Sequence, residues 1–108
     1  MLEENLESTF SQDPEKQMGG YTKRALGIRV FFKIENPPMH RIHKLFIGDE
    51  EVQKDKVYRA AFITEQGVPA KFGQNRMQHP EKIVGAMQTY LEKNGPLEVQ
   101  IMGTFTAI

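Results

Sequence analysis

Lys56-Val57-Tyr58-Arg59-Ala60-Ala61-Phe62-Ile63-Thr64-Glu65-Gln66-Gly67-Val68-Pro69-Ala70-Lys71-Phe72-Gly73 is the stretch on which the fold reading turns. Its first part, 57–63, is apolar but for Arg59 and contains neither Gly nor Pro. An unbroken apolar run of that length predicts a central strand buried on both faces, because a surface strand alternates. The run stops at a polar loop, 64–73, that holds two glycines, a proline and an aromatic. Loops leaving buried strands are common ligand sites in α/β proteins, since the sheet holds them in place. The loop has no complete catalytic set, so the chain reads as a binding element rather than a chemical one.

Working outward, the chain predicts an α-β-β-β-α-β order. Leu2, Leu6 and Phe10 repeat at helical spacing, and Glu3, Glu4 and Glu7 suit the positive end of the helix dipole. Asp13-Pro14 closes this helix, because the residue before proline is pushed from the α region. After Gly19-Gly20, the residues Ile28, Val30, Phe32 and Ile34 alternate with Arg29, Phe31 and Lys33 as a half-buried strand. His43, Leu45 and Ile47 form a second, turned at Gly48-Asp49, and the charged stretch 50–56 leads to the apolar run. A second helix is expected to start at His79-Pro80, with an apolar face of Ile83, Val84, Met87, Tyr90 and Leu91. Asn94-Gly95-Pro96 stops it, and Leu97, Val99, Ile101, Gly103 and Phe105 alternate as the last strand. The fold class expected is α+β, a mixed β-sheet with helices packed on it.

Composition excludes several functions. A 108-residue chain is one domain at most and buries roughly two thirds of its unfolded surface. With no cysteine, thiol nucleophiles, thiolate zinc sites and iron–sulfur clusters are excluded. The 14 cations are balanced by 14 anions and spread along the chain, so no nucleic-acid polymer is expected as a partner. No apolar stretch nears the roughly 20 residues of a membrane span. No signal-peptide pattern is present, which says nothing about a piece of a longer protein. A helix in phase from the first residue suggests such a piece.

His40 and His43 have a His-x-x-His spacing, but on a strand they point to opposite faces and do not share one ion. Tyr58, Phe62 and Phe46 read as core aromatics, and no Ser sits on a Gly-flanked elbow.

Several segments together resemble the C-terminal domain of the 5′-nucleotidase and UDP-sugar hydrolase family. They are Gly19-Gly20-Tyr21, Gly27-Ile28-Arg29-Val30, Arg41-Ile42, Lys56-Val57-Tyr58-Arg59-Ala60-Ala61, the helix near Tyr90-Leu91 and the strand reaching Phe105. Asp13-Pro14 with Gln17 is similar to the sulfur-oxidation thiosulfohydrolase branch. The resemblance implies that 1–108 is such a domain, truncated on its N-terminal side. It implies a metallophosphoesterase domain elsewhere in the parent protein, holding two divalent metal ions, and no cofactor in this chain. It also implies a periplasmic or exported setting. Family nucleotidases clamp the base between two phenylalanines, one of which follows a Gly-Gly-Asp-Gly loop. Here that loop corresponds to 66–72, so the resemblance carries the role onto Phe72. Only Gly67 of the glycine run survives, and Val68-Pro69 stiffens the loop. A nucleotide or a different small anion is the implied ligand.

The residues also speak for themselves. Stacking a base on an aromatic face is worth roughly 1–3 kcal/mol, and Phe72 beside Gly73 is placed either to offer its ring or to fold back as a lid on the core. Thr64 and Gln66 at the strand exit either meet a ligand or satisfy local backbone groups. Asn75 either bonds a sugar hydroxyl or shapes a turn.

Three functions follow. The first is a non-catalytic, substrate-presenting region of a dinuclear-metal hydrolase. The second is a stand-alone binding or interaction module. The third is a small enzyme acting through His43 or His79. A part-domain leaves sheet edges uncovered, so a homodimer is also expected.

Overall fold

The computed structural model describes residues 1–19, 21–98, 100 and 103–108. Gly20 of the linker, Val99 and Ile101 of the expected last strand, and Met102 lie outside the described residues. The elements are α1 (Leu2–Phe10), a short 3₁₀ turn (Pro14–Lys16), β1 (Ile28–Phe32), β2 (Ile42–Ile47), β3 (Glu50–Glu51), α2 (Ile83–Asn94) and β4 (Phe105–Ala107). The fold is α+β in the expected order of elements. It divides into two compact units, Met1–Arg59 with Met102–Ile108, and Ala60–Ile101.

The first unit is built on a four-stranded mixed sheet in the order β3-β2-β1-β4. β1, β2 and β3 are antiparallel neighbours, and β4 runs parallel to β1 with Val30 opposite Phe105. The period-two pattern of β1 holds over its length, with Val30 and Phe32 buried and Arg29 exposed, but the strand ends at Phe32, and Ile34, expected on the inner face, lies beyond it and exposed. β2 departs from simple alternation. Phe31 faces Lys44 and Phe32 faces Ile42, so the ladder skips His43 in a bulge. The extra residue shifts parity, which turns Ile42 rather than His43 to the side of Leu45, and leaves His43 exposed.

α1 uses its apolar stripe as expected. Leu6 is wholly buried, and the Phe10 ring stacks on Phe32 at 5.4 Å between centroids. Its acidic residues have a second use. The Glu3 carboxylate accepts from the backbone N–H groups of Arg41 (3.1 Å) and Ile42 (2.8 Å), satisfying donors at the start of β2. Glu7 Oε2 accepts from Nε and Nη2 of Arg41, each at 3.2 Å, and Arg41 Nη1 donates to the Ile34 carbonyl. Arg41 is buried, and these contacts account for its charge. The helix ends at Phe10, ahead of Asp13-Pro14, which instead begins the 3₁₀ turn with Asp13 as its cap.

The apolar run 57–63 does not form the central strand. Val57 is 94% exposed and Ile63 74%; Ala60, Ala61 and Phe62 are also exposed, and none of the run is in a strand. The third strand is β3, the Glu50-Glu51 pair within the charged stretch, which pairs with β2 across the Gly48-Asp49 turn. Hairpin geometry wins over hydrophobicity here, because a tight turn with Gly48 at φ 61° returns the chain directly alongside β2. Beyond β3 the chain is held by side chains. The Val52 N–H still donates to the Leu45 carbonyl, Gln53 N–H donates to the Tyr58 hydroxyl, and Lys56 pairs with Glu50 at 3.0 Å.

β4 is shorter than the expected last strand, and Leu97 lies outside it and exposed. Thr104 fastens its start: its backbone carbonyl accepts from Val30 N–H at 2.7 Å, while its hydroxyl donates to the Ala25 carbonyl at 2.9 Å.

In the second unit, α2 begins at Ile83 with Lys82 as N-cap, so His79-Pro80 precedes the helix rather than opening it. Gly95, at φ 72°, ends it as the stop signal predicts. The apolar residues Ile83, Val84, Met87, Tyr90 and Leu91 are all exposed.

Candidate functional site

The candidate loop lies wholly in the second unit. It is a pair of turns closed by local hydrogen bonds. The Gly67 N–H reaches both the carbonyl and the hydroxyl of Thr64, each at 3.1 Å, and the Val68 N–H reaches the same carbonyl at 3.2 Å. A Cβ on Gly67 would stand 3.3 Å from the Thr64 hydroxyl, so this approach favours glycine. Phe72 N–H closes the second turn onto the Pro69 carbonyl at 3.0 Å. The chain then reverses through Gly73 at φ 82° and Asn75 at φ 51°.

This reversal brings back Arg76, which organises the loop. Nη1 donates to the carbonyls of Pro69 and Phe72, each at 2.9 Å, and Nη2 donates to Val68 at 2.8 Å. The guanidinium also lies over the Phe62 ring, 4.5 Å from its centroid. Phe62 is therefore not a core aromatic but a half-exposed platform under a cation. Phe72 is half-buried, with the Lys71 ammonium 4.9 Å from its ring centroid.

The five residues singled out from sequence have distinct places. Thr64 and Gly67 make the first turn, Gln66 lies exposed between them, Phe72 lies in the second turn, and Asn75 takes the left-handed position of the reversal. One short loop carries all five. The expected buried strand is not what holds them: Thr64 closes the first turn by its own bonds, and Arg76 binds the Val68, Pro69 and Phe72 carbonyls. No sequence signal singles out Arg76, because its partners are backbone carbonyls, although Arg is the side chain that offers five donors in a fixed fork.

The loop 64–76 carries two cations, Lys71 and Arg76, against one anion, Glu65. Arg76 has neutral carbonyls and a π face as partners, and no carboxylate pairs with it among the described residues. Such an arrangement satisfies the donors without cancelling the charge.

The histidines are separate from this loop in sequence role. His40 and His43 are exposed in the first unit, and His79 Nδ1 accepts from the Glu81 N–H at 3.2 Å. Among the described residues, no group of three or more His, Asp or Glu is arranged to hold a metal ion. No helix among the described residues is long and apolar enough to cross a membrane. Comparisons with protein-family models, with curated proteins and with solved structures give no match to this chain.

Proposed function

We propose that this chain is the substrate-presenting, non-catalytic C-terminal region of a dinuclear-metal phosphoesterase of the 5′-nucleotidase type. One observation carries the reading: the loop 64–76 holds an aromatic, Phe72, beside two cations, Lys71 and Arg76, in a conformation fixed by its own hydrogen bonds. An aromatic face with adjacent positive charge suits a small anion that bears a planar ring. The motif resemblance adds the division of labour. Two divalent ions on a separate metallophosphoesterase domain of the parent protein would supply the hydrolysis, and residues of this chain would position the substrate. With no buried strand at 57–63, no rigid sheet supports the loop, and the Arg76 contacts support it instead.

Titration calorimetry with adenosine 5′-monophosphate tests this. The chain binds it, and Phe72→Ala weakens binding by roughly 1–3 kcal/mol; equal affinity for both proteins contradicts the reading. With added divalent metal the isolated chain turns over no phosphomonoester, and robust turnover would end the proposal. The missing Gly-Gly-Asp-Gly run favours a second reading, a small anion other than a nucleotide, as for a thiosulfohydrolase-like protein. The same titration with thiosulfate separates the two. The expected homodimer is checked by light scattering at high concentration, where a monomer contradicts it.

A further inference from the structure

We infer that Arg76 is the positioning residue of the ligand loop, a planar lock that fixes where Phe72 stands; this rests on the proposed role of that loop. Among the described contacts, the loop is held by its two turn closures and by Arg76. Two turns, 64–68 and 69–72, each close on a single carbonyl, Thr64 and Pro69. Short turns of this kind open easily when nothing joins them. Arg76 joins them: Val68 belongs to the first turn, Pro69 and Phe72 to the second, and one guanidinium binds all three carbonyls. Its planar face lies over Phe62, which ties the segment preceding the loop to the same group.

The chemistry needs arginine specifically. Three carbonyls and a ring face are served by a flat cation with several N–H bonds in one plane. A lysine carries the charge but offers a tetrahedral ammonium that cannot repeat the fork. The approach of Arg76 also requires the reversal, so Gly73 and Asn75 in left-handed conformations belong to the same device. The aliphatic stem of Arg76 passes within 3.8 Å of where a Gly73 Cβ would stand. Arg76 is not proposed to perform chemistry: it adds its charge beside Phe72, and its positioning role is to fix where Phe72 stands.

Amide hydrogen exchange on the full chain tests the lock, read at Gly67, Val68 and Phe72. The amides of Val30 and Lys33, bonded to Thr104 and Arg41 in the first unit, are the internal reference. In Arg76→Gln, protection at the three loop amides falls roughly tenfold or more, as expected for loss of charge-assisted bonds, while the reference amides are unchanged. Arg76→Lys loses the same protection and binds adenosine 5′-monophosphate about tenfold more weakly than wild type, because charge without the fork does not rescue position. Unchanged loop protection in Arg76→Gln overturns the inference, as does a parallel loss at Val30 and Lys33, which would make the role global. Full rescue by Lys also overturns it. If wild type fails to bind the nucleotide while exchange behaves as stated, the reading of the loop as a ligand site fails and the lock stands.

Discussion

The two units of this chain hold themselves together by opposite means. In Met1–Arg59 with Met102–Ile108, order comes from burial: Leu6, Val30 and Phe32 are sealed from solvent, and Arg41 is buried with its charge paired to Glu7. In Ala60–Ile101, no described residue is buried, and order comes from a helix and from the polar contacts of Arg76. Both units contain comparable apolar stretches. The difference lies in what the apolar residues meet. Hydrophobic burial is nondirectional and scales with area, so it stabilises a unit as a whole. A guanidinium lock is directional and local, so it fixes a loop without stabilising much else.

That contrast can be broken by mutation. Leu6→Ala empties the middle of the first unit and is expected to cost about 2–5 kcal/mol in urea unfolding; a loss below 1 kcal/mol, to an order of magnitude, would mean that the core is elsewhere. Arg41→Met comes next, at about 3 kcal/mol, since Glu7 and the Ile34 carbonyl lose their buried guanidinium partner while the backbone bonds to Glu3 remain. Val84→Ser, on the open face of α2, is expected to change stability by no more than about 0.5 kcal/mol in the same assay. A large destabilisation there would show that the helix face is covered in solution.

The smallest effect concerns Lys56. Its hydrogen bond to Glu50, aided by the Glu50 and Tyr58 charges, raises its pKa above the ordinary lysine value of 10.5. A group whose folded-state value is raised contributes fully below its unfolded value, and the contribution is lost as pH rises through the folded one. The pair is fully exposed, so its removal by Lys56→Met is expected to leave neutral-pH stability nearly unchanged. The amide of Val52, next to β3, should show a small loss of protection only above pH 10.5.

What could be read from the sequence follows the same division. β1, α1 and the end of α2 are local: alternation, helical spacing and an Asn-Gly-Pro stop each act over a few residues. The α+β class and the element order follow from them. The run 57–63 misleads because apolar character reports a demand for cover, not its presence, and all of it but the half-buried Tyr58 is exposed. The bulge at His43 and the two-residue β3 depend on pairing across the sheet, which no single segment encodes. In the loop, the clustering of Thr64, Gln66, Gly67, Phe72 and Asn75 was legible because they are close in sequence. Arg76 was not, since its partners are carbonyls, which every residue carries.

The most direct measurement is amide exchange across the full chain with and without adenosine 5′-monophosphate. Protection is expected to rise at Gly67, Val68 and Phe72 and to stay constant at Val30 and Lys33. No change at the loop amides, or a change confined to the sheet, would contradict the placement of ligand recognition in the Arg76-held loop.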